Sequence, residues 1–178
     1  MSRERLTLGA IQVYTGNGKG KTTTALGLAF RALGQGFKVY MVQFLKGRET
    51  GESAMAKRLS PDLTLRFFGR PGLVNLKSPS PADLEFIREA WKLAREVIAS
   101  GDYDLVILDE INLVLAHQLI PFKELEETLR QRPASVEVVL TGRQAPPELL
   151  ALADLVTEMH PVKHYYQAGV KARRGIEW

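Results

Sequence analysis

Along this chain, short continuous apolar runs alternate with longer stretches in which apolar residues recur every three or four positions. The runs Leu8–Tyr14, Lys38–Phe44, Leu63–Phe68, Asp104–Leu108, Val136–Thr141 and Leu155–Met159 predict six strands, most of them too uniformly apolar to leave a face open to water. Helical spacing predicts helices over Thr22–Leu33, Pro81–Ser100, Phe122–Arg132 and Pro147–Ala153. The second is the clearest. Its Leu84, Ile87, Trp91, Ala94 and Ile98 form one stripe, Ser80 and Asp83 are spaced as a capping box, and Gly101 follows the end. Strand and helix in repeated alternation call for a mainly parallel sheet covered by helices on both faces, an α/β fold. The segments Gly47–Pro61 and Gly69–Pro79 read as irregular loops beside strand ends, where function gathers in such folds.

Composition narrows the chemistry. At 178 residues, 45 % of them hydrophobic, and with no linker-like composition shift, the chain reads as one domain spanning residues 1–178. It has no cysteine and only three scattered histidines, which excludes disulfides and thiolate metal sites and disfavours a protein-built transition-metal site. Met1–Thr7 is charged and lacks a signal-type apolar core, and no apolar run reaches the ~18 residues of a bilayer span, so a cytoplasmic protein without a membrane partner is expected. The net charge of +4 suits a small polyanion as well as it suits nucleic acid.

The first strand leads into Thr15–Thr24, TGNGKGKTTT, one residue short of the common phosphate-loop pattern because the first glycine is Gly16 and not residue 15. A glycine loop between a strand and a helix N-terminus offers backbone N–H groups and the positive end of the helix dipole to phosphates. Gly16, Asn17, Gly18, Lys19, Gly20, Lys21, Thr22 and Thr23 are the expected nucleotide contacts, with Lys21 on the phosphate oxygens and Thr22 offering its hydroxyl to Mg2+. The chain is therefore expected to have a P-loop NTPase-like fold with a six-stranded sheet. A second constellation, Asp102–Glu110, is an apolar strand that delivers Asp109 and Glu110 to its carboxyl end, where the neighbouring parallel strand is expected to deliver the phosphate loop. Asp109 and Glu110 are the further candidate Mg2+ ligands, directly or through water.

These two elements serve ATPases, kinases and group transferases alike. Three segments go further: Thr15–Thr23, Val42–Gly47 (VQFLKG) and the tail Pro161–Trp178 (PVKHYYQAGVKARRGIEW). With Val106–Glu110 and Thr141-Gly142-Arg143, they resemble the ATP:corrinoid adenosyltransferase family of cobalamin synthesis and salvage. The resemblance runs from about Ile11 to the last residue. It implies transfer of the 5′-deoxyadenosyl group of ATP to the reduced cobalt of a corrinoid, with release of triphosphate, and a loop that holds ATP in the reverse sense. Cobalt enters only within the corrinoid substrate. Lys21, Thr22 and Glu110 become the expected catalytic residues, and Arg143 and Lys46 further nucleotide or corrinoid contacts. A reductant such as a flavoprotein and a homodimer are also implied.

Gly72-Leu73-Val74-Asn75 departs from the family's aromatic piece, leaving Leu73 and Val74 as the apolar candidates for one face of cobalt, while Phe67 and Phe68 read as core. Two alternatives stand beside this reading: a P-loop ATPase or kinase of another class, and an ATP-switched nucleic-acid module suggested by Tyr165, Tyr166 and Trp178 amid basic residues. Binding to nucleic acid is not the expectation.

Overall fold

The computed structural model describes residues 5–178. Residues 1–4, the start of the charged segment noted above, lie outside the described residues. Among the described residues the elements run β1 (Ile11–Thr15), α1 (Lys21–Gly34), β2 (Val39–Gln43), α2 (Gly51–Arg58), β3 (Leu63–Phe67), α3 (Pro81–Ser100), β4 (Leu105–Asp109), α4 (Ile111–Ala116), α5 (Phe122–Arg130), β5 (Glu137–Thr141), α6 (Pro147–Leu152) and β6 (Leu155–Glu158), with a 3-10 turn at Tyr165–Ala168. All five strand pairings are parallel, and the order across the sheet is β3-β2-β4-β5-β1-β6.

Alternation along each strand separates two cores. On one face, Val42, Val106, Leu108, Val138 and Leu140 pack with Ile87, Trp91 and Ile98 of α3, Leu125 and Leu129 of α5, and Leu149 of α6. On the other, Met41, Leu105, Ile107 and Val139 pack with Ala25 and Ala29 of α1 and Ala56 of α2. The small residues on α1 let that helix lie close to the sheet, which aims its N-terminus over the strand ends. The expected α/β fold with both faces covered is thus what forms. The capping box of α3 also forms, with Asp83 N–H donating to Ser80 Oγ at 3.2 Å and Ser80 N–H donating to Asp83 Oδ2 at 3.0 Å.

Three expectations need correction. The strand carrying Asp109 is not the neighbour of the strand carrying the loop: β5 lies between β4 and β1. Apolar content told that both strands are buried, but it carries no information about which buried strands pair. The stretch 47–61 is not wholly irregular, because Gly51–Arg58 is α2. Its apolar residues are few, and the helix is set instead by a cap in which Thr50 N–H donates to Ser53 Oγ at 2.9 Å. Finally, β6 is exposed along its whole length, as the edge position beside β1 allows.

Candidate functional site

Parallel register brings the carboxyl ends of four strands into line: Gln43 pairs with Asp109, Leu108 with Leu140, and Tyr14 with Thr141. The glycine-rich loop leaves β1 at this edge. Gly16 has φ 94° and Gly20, which precedes α1, has φ 124°, conformations that side chains disfavour. The loop is also pinned from outside. Gly18 N–H donates to Met159 O at 2.7 Å, just past the end of β6. A Cβ on Gly16 or Gly18 would lie 2.5 or 2.7 Å from that same oxygen. The glycines are therefore demanded by the neighbouring backbone as well as by any anion.

Lys21 is buried and its Nζ donates to Gly16 O at 2.9 Å and Gly18 O at 2.7 Å, so the cation is folded into its own loop. Burial pulls its pKa below the ordinary lysine value, although Glu110 and Asp109 nearby act in the opposite sense. A desolvated ammonium of this kind gains most from an anionic ligand.

Asp109 is fully buried. Its Oδ1 accepts from Thr22 Oγ1 at 2.8 Å and Thr141 Oγ1 at 2.7 Å, and its Oδ2 accepts from Gln43 Nε2 at 3.0 Å with Lys46 Nζ at 3.6 Å. Each donor lessens the cost of burying that charge. Because Thr22 gives its proton to Asp109, the lone pairs of its oxygen remain for a cation. Glu110 differs from its neighbour: it stands at φ 66° and its buried Oε2 has no partner. Burial, and then the charge of Asp109, raise its pKa above the ordinary carboxylate value. Glu110 thus offers a buried, unsatisfied carboxylate oxygen and Thr22 a hydroxyl oxygen free to accept, both of the hard oxygen type that Mg2+ prefers. Among the described residues no group of three or more His, Cys, Asp or Glu is placed to hold a metal, so a cation here needs ligand oxygens as well.

Over these residues lies a cleft of about 1000 Å3, lined by the loop, α1, α2, Lys46, Glu110, Arg143 and the tail 161–178. The tail is held to the loop through Glu177. Lys19 Nζ donates to Glu177 Oε1 at 3.1 Å and to Ile176 O at 3.2 Å, Tyr165 Oη donates to the same carboxylate, and Arg173 Nη2 meets it at 3.1 Å. Arg48, in the β2–α2 loop, lies over the Trp178 ring at 4.4 Å.

The sequence profile of the family described as ATP:corrinoid adenosyltransferase BtuR/CobO/CobP matches residues 7–178. The chain belongs to the ATP:corrinoid adenosyltransferase family. It is 40 % identical over 171 residues to the corrinoid adenosyltransferase of Pseudomonas aeruginosa, covering 96 % of this chain and 84 % of that one. It is also 40 % identical over 170 residues to that of Escherichia coli K12, covering 96 % and 86 %. In fold alone it is similar to the flagellar accessory protein FlaH from Methanocaldococcus jannaschii, with TM-score 0.59 at 17 % identity over 89 % of this chain and 77 % of that one.

Within this adenosyltransferase fold, most of the expected residues converge. Gly16, Asn17, Gly18, Gly20, Lys21, Thr22 and Thr23 form the loop and the start of α1, while Asp109, Glu110, Arg143 and Lys46 stand at neighbouring strand ends. Lys19 belongs to the loop but is engaged by the tail. Leu73 is 99 % exposed on the loop after β3, and Phe68 packs against the core as expected. Sequence reading missed Gln43, Glu52, Asn112 and Thr141. Glu52, on α2, accepts from Gln43 Nε2 at 3.1 Å and Lys46 Nζ at 2.9 Å. The nearby acids Asp109 and Glu52 outweigh burial and hold the Lys46 pKa above the ordinary value. Asn112 Nδ2 donates to Gly142 O at 3.0 Å and Tyr14 O at 3.3 Å, tying β1 to the turn after β5. A polar residue ending an apolar strand was the available signal for Gln43 and Thr141; for Glu52 and Asn112 there was none.

Proposed function

We propose that this chain transfers the 5′-deoxyadenosyl group of ATP to the reduced cobalt of a corrinoid, cob(I)alamin or cobyrinic acid a,c-diamide, and releases triphosphate. One observation carries the reading: the segments on which the family resemblance rests, far apart in sequence, meet around one cleft. Triphosphate lies along Gly16–Thr22, where backbone N–H groups and the N-terminus of α1 face it. The Lys21 ammonium moves from the Gly16 and Gly18 carbonyls onto phosphate oxygens, its loss of solvation offset by the incoming charge. Thr22 and Glu110 hold Mg2+, with Asp109 acting through the Thr22 hydroxyl that it orients. Bound there, Mg2+ neutralises charge on the triphosphate.

ATP sits in the reverse sense, so that C5′ and not the terminal phosphorus faces the second substrate. The electron pair of Co(I) forms the Co–C bond as the C5′–O bond breaks, and triphosphate leaves with that bonding pair. The protein orients two substrates and stabilises the leaving group. Arg143 and Lys46 supply further positive charge at the cleft. The whole chain acts as one domain, as a homodimer in the cytoplasm, served by a reductant such as a flavoprotein; no helix among the described residues is long and apolar enough to cross a membrane.

With ATP, Mg2+, a corrinoid and a strong reductant, the expected outcome is a light-sensitive cobalt–carbon product and stoichiometric triphosphate, resolved by ion chromatography. ADP or orthophosphate as the primary product would refute the assignment in favour of another P-loop class.

A further inference from the structure

We propose that Thr141, at the end of β5, is a positioning residue that sets both members of the Asp109–Glu110 pair and thereby the Mg2+ requirement of nucleotide binding. The inference rests on the nucleotide and cation placement proposed above. Thr141 is fully buried, in the strand that separates β4 from β1. Its hydroxyl makes two contacts of opposite sense: it donates to Asp109 Oδ1 at 2.7 Å and accepts from Glu110 N–H at 3.1 Å. One oxygen thus fixes the side chain of the first acid and the main chain of the second.

Both contacts matter for what a cation would meet. Asp109 Oδ1 also takes the Thr22 proton, so the orientation of that carboxylate decides where the Thr22 oxygen points. Glu110 stands at φ 66°, a conformation that a residue other than glycine holds only when its surroundings impose it. The N–H bond to Thr141 is such a constraint, and it holds the main chain of the same residue whose carboxylate Oε2 is buried without a partner. Parallel register explains why this residue serves: Thr141 pairs with Tyr14 of β1 on one side, while Leu140 pairs with Leu108 on the other, placing Thr141 beside Asp109.

Valine matches threonine in shape and removes both contacts, whereas serine keeps them and loses only a methyl group. The test measures binding of a fluorescent ATP analogue as Mg2+ is titrated, without corrinoid, in wild type, Thr141→Val, Thr141→Ser and Thr22→Ala. Thr141→Val is expected to raise the Mg2+ concentration at half-saturation about tenfold. Binding without Mg2+ should stay within about twofold of wild type, and serine should restore the wild-type titration. If Thr141→Val melts early, Thr141→Ala takes its place, and the serine–alanine pair carries the comparison. A wild-type titration in the valine or alanine variant, or failure of serine to restore it, overturns the role of Thr141 while the Thr22→Ala shift leaves the placement standing. A titration that Thr22→Ala does not move overturns the placement itself, and this inference with it.

Discussion

At the strand ends beneath the cleft, the Asp109 side chain is 0 % exposed and its donors come from β2, β5 and α1; across the cleft, the Glu177 side chain is 18 % exposed and its donors Lys19 and Arg173 are 39 % and 50 % exposed. Both carboxylates gather several donors, yet the supports differ in kind. Gln43, Thr141 and Thr22 all stand on backbone fixed by the sheet or a helix, and the two threonines are short side chains that lose little freedom when aimed. Lys19 and Arg173 are long chains at the surface, where side-chain entropy and counterions weaken each pair. The difference teaches where rigidity is placed: the cluster around Asp109 is built into the sheet and the start of α1, whereas the tail is fastened by contacts that solvent can loosen.

The largest effect should come from the rigid side. Lys21→Ala removes the buried ammonium from the loop, and kcat/KM for cobalt–carbon bond formation should fall by about 10²–10³. Arginine should not restore it, since a planar fork cannot fit among the Gly16 and Gly18 carbonyls that now enclose the ammonium. Initial rates with a saturating corrinoid measure both variants. An unchanged rate in Lys21→Ala would mean that triphosphate does not lie on this loop.

That lysine was legible in the sequence, as were the loop, the two acids and the α/β layering, because each is a local pattern with a fixed period or spacing. The strand order was not. β4 and β1 looked like neighbours because both end at the site, and only the pairing shows β5 between them. Thr141 is visible in the sequence as part of the family resemblance at Thr141-Gly142-Arg143, but its contact with Asp109 is not, since that contact depends on the same pairing. Glu52 was hidden differently. Its helix has little apolar periodicity, and its partner Lys46 stands six residues earlier. The tail's aromatic and basic residues were visible, but their convergence on Glu177 is tertiary: Lys19 is 158 positions away along the chain.

An intermediate effect should come from the tail. Glu177→Gln removes the charge that Lys19, Tyr165 and Arg173 share, while keeping an oxygen that can accept one of them. Lys171, Arg173 and Arg174 are exposed trypsin sites within this segment. Cleavage there, followed by mass spectrometry under native conditions, should accelerate about fivefold in the variant. Raising the salt should speed cleavage of wild type towards the variant's rate, because the contacts are screened. Equal rates at low salt would break the contrast drawn above, by showing that something other than the carboxylate fastens the tail.

The smallest effect tests a carboxylate that combines the two kinds of support. Asp83, at the start of α3, is 2 % exposed, and it takes Ser80 Oγ at 2.6 Å from its own cap and Arg70 Nε at 2.7 Å from the preceding loop. The hydrogen bond from Arg70, followed by that from Ser80, lowers its pKa from 3.8 to about 2. A depressed carboxylate pKa adds stability that is present above the unfolded value and is lost as pH falls through the folded one. Asp83→Asn should therefore lower Tm at neutral pH, and the gap from wild type should close between pH 3.8 and about 2, followed by circular dichroism. Ser80→Ala, which removes the cap hydroxyl, should cost about 1 kcal/mol, or about 2–4 °C in Tm for a chain of this size. If the Asp83→Asn gap instead persists undiminished at pH 2, the carboxylate's charge contributes nothing there. Asp83 would then stabilise α3 by shape and hydrogen bonding alone, a support like that of the strand-end hydroxyls and unlike that of the tail.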